Sequence, residues 1–370
     1  MVDWFGKEVP KLGFGLMRLP KKGPVIDVEK TKKMVDLFLE SGFTYFDTAY
    51  VYLGSESAAK KALVDRHPRD SYTIASKLHA GMAPTESAAK RELSTSLRRT
   101  GAGYFDYYLL HAFMDNNYQR YDKFHLWDFV AEKKQQGLIR HAGFSFHAGP
   151  ELLDKILTDH PDVDFVQLQI NYADWENPKV ASRANYEVAR KHGKSIVVME
   201  PVKGGSLADP PEEVKKLMKD CRPDMSYASW AIRFAASLDG IITVLSGMSN
   251  VEQMQDNLSF MKDFQPLSEA EQEVIRQAQI IMGHSSAVPC TACRYCVEGC
   301  PMKISIPDVF SAMNKQLVSG LGSEASALYE KAVLSGGKAS ECIACKKCEA
   351  VCPQQLPIAD NMKKAAGLFE

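Results

Sequence analysis

From Leu12 to about Phe260 the chain alternates short, β-rich apolar runs with stretches of helical periodicity. The runs lie at 12–18, 43–49, 72–77, 105–111, 139–146, 165–171, 195–201 and 241–245. Between them come patterns such as VEKTKKMVDLFLESG, where Met34, Val35, Leu37, Phe38 and Leu39 form an apolar side and Gly42 supplies a stop. SESAAKKALVDRH and TESAAKRELSTSLRRTG follow, the second opening on Pro84 with Thr85 as N-cap. Later helices fit 121–136, 150–158, 180–192, 226–237 and 250–260. Eight strand–helix pairs at this spacing predict an α/β chain closed as a (β/α)8 TIM barrel. An open doubly wound sheet is the alternative, but no Gly-x-Gly-x-x-Gly follows the first strand.

Past the eighth pair, LSEAEQEVIRQAQII reads as a helix with Ser268 as cap and Glu271 in the capping-box position. MGHSSAVPC then reads as a linker, which divides the chain into a barrel at 1–283 and a small, mostly helical domain at 284–370. Within the second domain, helices are expected near 307–317 and 324–334, punctuated by Gly320, Gly322, Gly336 and Gly337.

Charge adds only exclusions. The 45 Lys and Arg nearly cancel the 46 Asp and Glu, so no net field draws nucleic acid or an anionic membrane. No apolar run reaches the roughly 18 residues that span a bilayer, and the first twenty residues lack a signal-peptide pattern. The expected location is cytoplasmic.

Cysteine usage changes the picture. Cys221 stands alone in the first 289 residues, and eight cysteines crowd between 290 and 352. Cys290, Cys293, Cys296 and Cys300 precede Pro301; Cys342, Cys345, Cys348 and Cys352 precede Pro353. Each set is C-x2-C-x2-C-x3-C-P, the spacing that binds [4Fe–4S] clusters, and a reducing compartment disfavours disulfides. Paired structural zinc sites are the alternative, but they need only two CxxC pairs. The domain resembles a bacterial-type two-cluster ferredoxin, with a helical insertion of about 40 residues between the motifs like that of α-helical ferredoxin domains in larger redox enzymes. In such ferredoxins the fourth cysteine serves the other cluster. One cluster then takes Cys290, Cys293, Cys296 and Cys352, the other Cys342, Cys345, Cys348 and Cys300.

In a (β/α)8 barrel, polar residues at strand C-termini are the candidates for chemistry. Asp47 ends the second strand with Tyr52 just after it, Lys77 ends the third, and His111 ends the fourth. FDTA-x2-Y-x-G-S-E, then a strand-end Lys and LLH, resembles the aldo-keto reductase superfamily over about residues 11–260. The resemblance implies a catalytic tetrad of Asp47, Tyr52, Lys77 and His111. Reducing a carbonyl by hydride needs a proton donor, and a free tyrosine titrates near 10. A neighbouring Lys⁺ favours the phenolate, Asp47 would hold that lysine charged, and His111 would orient the carbonyl oxygen. Tyr52 is then general acid in reduction and general base in oxidation.

The same resemblance puts Ser145 and Gln167 on the nicotinamide carboxamide and Met199 where an aromatic ring usually stacks. It puts Gly247, Gln253 and Asn257, in the eighth strand–helix turn, near the adenosine phosphate. No Arg or Lys occupies 246–257, so neither NADPH nor NADH is selected. Cys221 reads as a small buried or loop residue, and His79, His147 and His284 as ordinary polar residues. The expected function is NAD(P)(H)-dependent carbonyl/alcohol interconversion, accompanied by electron transfer through two clusters, on a small-molecule substrate and with a possible redox protein partner. Hydride carries two electrons and a cluster one, so direct exchange between the halves calls for a splitter such as flavin. The alternatives are a reductase driven by ferredoxin instead of NAD(P)H, and a non-catalytic redox-sensing or docking subunit.

Overall fold

Side chains alternate between the two faces of a strand, and in a closed barrel one face fills the interior. The computed structural model describes residue 5 and residues 9–283, 287–334 and 336–370. Eight strands lie where the apolar runs predict them: β1 Leu12–Gly15, β2 Tyr45–Asp47, β3 Thr73–Leu78, β4 Phe105–Phe113, β5 Ile139–Phe146, β6 Phe165–Gln169, β7 Ser195–Met199 and β8 Ile241–Ser246. They pair in parallel around a closed ring in which β1 touches both β8 and β2. The barrel interior is packed by Tyr45, Ala75, Tyr107, Leu109, Phe165, Val197, Ile242 and Leu245. Gly143 makes room for one of them, since a Cβ there would stand 2.6 Å from the Phe165 carbonyl oxygen.

The outer helices also follow the sequence. Asp27 caps α1 (Val28–Glu40), and Gly42 with φ of 86° turns the chain away. Thr85 accepts the Ala88 amide at the start of Glu86–Thr100. The Ser268–Glu271 capping box forms: the Ser268 amide donates to Glu271 at 2.8 Å, and the Glu271 amide donates back to the Ser268 hydroxyl. Arg233 fixes that carboxylate at 2.6 Å. One expected helix is broken. The stretch 121–136 becomes Gln119–Lys123 and Leu126–Gln135, because His125 takes a φ of 48° between them. A helix the sequence reading does not assign, Glu212–Cys221, follows Pro210 and Pro211 and buries Val214 and Met218.

The chain forms two compact units, Met1–Val202 with Cys221–Glu273, and Lys203–Asp220 with Val274–Glu370. The grouping differs from a boundary at 283/284 in two stretches, 203–220 and 274–283; part of the expected linker, 284–286 with His284, lies outside the described residues. The second unit holds the helices Tyr295–Glu298, Ile306–Ser319, Gly322–Val333 and Ile358–Phe369 around Ile304, Val309, Phe310, Met313, Leu356 and Met362. Gly204 (φ 66°) seats its backbone on Thr291 of the first cysteine motif, where a Cβ would come within 2.4 Å of the Thr291 carbonyl oxygen. No helix among the described residues is long and apolar enough to cross a membrane.

Candidate functional site

Strand periodicity builds the barrel site. On six of the strands a polar or soft residue stands two beyond an interior position, on the same face: Tyr45 leads to Asp47, Ala75 to Lys77, Leu109 to His111, Gly143 to Ser145, Phe165 to Gln167, and Val197 to Met199. The lower interior is thus apolar and the C-terminal mouth polar, the end where such barrels place their chemistry. Strand register sets Ser145 beside Gln167 and Gln169 beside Met199.

Asp47, Tyr52, Lys77 and His111 come together. Lys77 is fully buried and its ammonium donates to Asp47 Oδ1 at 2.6 Å and to the Thr48 carbonyl at 2.8 Å. It stands 4.9 Å from the centre of the Tyr52 ring, which lies edge-on to His111 at 5.7 Å. Burial pushes the Asp47 carboxyl up and the Lys77 ammonium down, and their ion pair opposes both shifts. The Tyr52 loop is anchored from behind. Ser55 ties Thr48 to the Leu16 carbonyl, and Glu56 accepts from Ser76 at 2.9 Å and Arg99 at 3.2 Å.

Burial, then the charges of His79, Lys77 and His147, hold His111 well below the usual imidazole range. It is neutral at physiological pH, which suits a hydrogen-bond donor rather than an acid. Burial likewise lowers His79 and His147 to about 4. His79 packs 5.3 Å from His111, accepts the Met82 amide on Nδ1, and sends its own backbone amide to Glu92 at 2.7 Å. The sequence reading takes His79 as an ordinary polar residue; only the strand-to-helix turn reveals it beside the tetrad.

Burial raises Glu92 to about 7, with Glu56 adding repulsion and the His79 amide and Arg99 opposing. The folded state therefore binds this proton more tightly than the unfolded one. Its stabilising contribution is complete below about 4.5 and is lost as pH rises through about 7. Glu92→Gln keeps the acceptor for the His79 amide without the charge. We expect the variant to exceed the wild-type apparent Tm at pH 8, by the equivalent of roughly 1–3 kcal/mol, and to match it at pH 5. Equal pH dependence of the two would refute this.

The expected cofactor residues fall in two places. Gln167 leaves its buried Oε1 without a partner, and Ser145 accepts the Ala112 amide at 2.8 Å, which leaves its hydroxyl hydrogen to donate. An unfilled acceptor beside a donor fits a carboxamide. Met199 is half-buried at the end of β7. At the β8 turn, Asn257 donates to Ser246 at 2.6 Å and the Gln253 carbonyl takes the Ser249 amide, so both are committed to holding the turn. Their neighbour Gly247 is exposed and lies under Arg18, whose Cδ would touch a Cβ there at 3.5 Å. Arg18 also meets Glu200 at 3.4 Å. It is a cation beside the β8 turn that no search of 246–257 can find, because it arrives from the short helical turn after β1.

In the second unit each cysteine motif winds through left-handed residues at matching places: Ala292, Arg294 and Lys303 in the first, Ala344, Lys346 and Gln355 in the second. Such turns point successive amides inward, as iron–sulfur sites require. Two cavities result. One is lined by Cys290, Cys293, Cys296 and Cys352; the other by Cys300, Cys342, Cys345 and Cys348. Ile306 and Ile358, at equivalent positions of the two copies, line both. No three Cys, His, Asp or Glu among the described residues converge as ligands of one ion; the thiols ring a space instead. Four thiols around a cavity fit a cubane, whose irons each take one thiolate.

Comparison with known proteins agrees with both halves. Residues 11–280 match the model of the aldo/keto reductase family, and residues 289–356 match that of the 4Fe-4S dicluster domain. An aldo-keto reductase from Bacillus halodurans in its holo form is 25% identical, superposes with a TM-score of 0.58, and is matched over 73% of this chain and 92% of its own. One from Klebsiella pneumoniae in complex with NADPH is 20% identical, with a TM-score of 0.60, over 74% of this chain and 94% of its own. One from Brucella melitensis is 19% identical, with a TM-score of 0.57, over 73% and 94%. No curated protein matches the chain in sequence.

Proposed function

This chain belongs to the aldo/keto reductase family, and on that footing we propose that its barrel interconverts a carbonyl and an alcohol, with Tyr52 moving the proton at the substrate oxygen. It is an oxidoreductase of the aldo-keto reductase type carrying a 4Fe-4S dicluster domain. The observation that carries the finer reading is the buried Lys77, held by Asp47 at 2.6 Å and facing the Tyr52 ring at 4.9 Å. A cation in that place favours the phenolate and readies the hydroxyl to give up its proton. Neutral His111 donates a hydrogen bond that orients the carbonyl oxygen toward Tyr52. A nicotinamide, when bound, supplies or accepts hydride. Ser145 and Gln167 would hold its carboxamide, Met199 would support its ring, and Arg18 with Gly247 would receive its phosphates. Two [4Fe–4S] clusters, when bound by the two sets of four cysteines, supply one-electron transfer.

NADPH, named for the Klebsiella structure, is the first cofactor to test. We expect quenching of its fluorescence by protein purified without oxygen, weakened about tenfold or more by Arg18→Met, the loss expected for one charge-assisted phosphate contact. We also expect its oxidation by simple aldehydes or ketones. Absence of binding by NADPH and NADH, with turnover driven by a low-potential one-electron donor, would replace this reading with a ferredoxin-driven reductase. The same preparation reports any flavin by its spectrum.

A further inference from the structure

The two cysteine motifs are copies whose backbones repeat, so equivalent positions can be compared one to one. Thr291 and Ile343 each follow the first cysteine of their set. Thr291 is 2% exposed beneath the Gly204 turn, whereas Ile343 is 61% exposed. The difference continues along the loop. Residues 343–347, Ile-Ala-Cys-Lys-Lys, are all exposed, and Cys345 alone among the described cysteines is exposed. Val351, later in the same motif, is 40% exposed.

Charge separates the copies in the same direction. Arg294 is neutralised by Asp308 at 2.9 Å. Its counterpart Lys346 makes no ion pair with Asp360, the exposed counterpart of Asp308, and Lys347 pairs with no acid among the described residues. Glu341 accepts the Lys338 amide at 3.1 Å and Glu349 the Ala359 amide at 2.9 Å, and neither forms an ion pair with these lysines. An apolar spot flanked by unengaged ammonium groups is the anatomy of an interaction surface. The first copy covers the matching position with its own chain; the second leaves it open directly over the thiols.

We propose that the exposed 343–347 loop, with Ile343 at its centre and Lys346 and Lys347 beside it, is the docking face for a small acidic protein that carries single electrons. The proposal rests on the reading that Cys300, Cys342, Cys345 and Cys348 hold a cluster. Lysines steer an acidic partner and set its approach, and the apolar contact holds it once seated. In each encounter one electron passes from the reduced carrier to the iron–sulfur unit, or back, with no bond made or broken.

The test uses the full chain with its clusters and a flavodoxin, an acidic flavin carrier, with affinity measured by calorimetry across a salt series. We expect association that weakens as salt rises. Lys346→Glu with Lys347→Glu should weaken it about tenfold or more and flatten the salt dependence. Ile343→Ser should weaken it several-fold without changing that slope, and Lys262→Glu, on the barrel, should leave it unchanged. Iron content is measured on every sample. Should the double variant lose iron, wild-type protein decides: a basic cytochrome of similar size must bind more weakly than the flavodoxin. The proposal is overturned if fully loaded protein shows no salt-sensitive association, if the loaded double variant binds like wild type, or if the basic carrier binds as well. Wild-type protein that holds no iron defeats the cluster reading itself.

Discussion

Tyr52→Phe is expected to lower kcat for carbonyl reduction by ~10²–10⁴-fold, the range typical of a lost general acid, while leaving NADPH affinity within about twofold. The split follows from the geometry. Phenylalanine keeps the ring that packs edge-on to His111 and faces the Lys77 ammonium, so the pocket's shape and the buried Asp47–Lys77 pair survive. Only the hydroxyl goes, and with it the proton delivered to the substrate oxygen. Lys77→Met should fall as far in rate and also destabilise the barrel, because Asp47 would be left buried without its counter-charge. Rate against pH separates proton transfer from packing: the rise or fall assigned to Tyr52 must vanish in the phenylalanine variant. A Tyr52→Phe enzyme that keeps full activity would sink the tetrad mechanism and favour a sensing or docking role for the barrel.

Cys300→Ala is expected to halve the iron, from about eight atoms per chain to about four, and to do so by emptying the cavity lined by the other motif. Cys300 follows the first three cysteines in sequence, yet it lines the cavity with Cys342, Cys345 and Cys348. Pairs of substitutions expose the crossing. Cys300→Ala combined with Cys345→Ala strikes one cavity and should leave about four irons, no worse than either alone. Cys300→Ala combined with Cys293→Ala strikes both and should leave almost none. The opposite pattern, with the second pair harmless beyond the first loss, would mean that each motif binds its own cluster.

Much of this arrangement was legible in the sequence because two periodicities carry it. The strand period of two places Asp47, Lys77, His111, Ser145, Gln167 and Met199 above interior-filling neighbours, so naming the strands nearly names the mouth of the barrel. The cysteine spacing does the same for the clusters: the two expected sets of four, crossing included, are the sets that line the two cavities. What escaped depends on contacts between distant segments. Arg18 meets Gly247 because the ring closes β1 against β8, and no local pattern encodes that closure. Glu92 reads as one more solvated charge on a helix until the turn after β3 brings the His79 amide to it. The break at His125 escaped for another reason: its left-handed backbone interrupts a stretch whose apolar period continues on both sides.

The crossed lining of the two cavities also constrains how the iron–sulfur unit is made. A chain emerging from the ribosome exposes Cys290, Cys293, Cys296 and Cys300 first, but these four do not line one cavity. The cavity holding Cys300 is incomplete until Cys348 appears, and the cavity holding Cys290 until Cys352. Neither site can reach four thiolates before Cys348 has been synthesised, and the two are completed within four residues of each other, at Cys348 and Cys352, so metal loading follows both motifs and comes to both sites almost together. A ribosome stalled ahead of Cys342 would hold a barrel-bearing chain with the four thiols of the first motif and no finished place for a cluster.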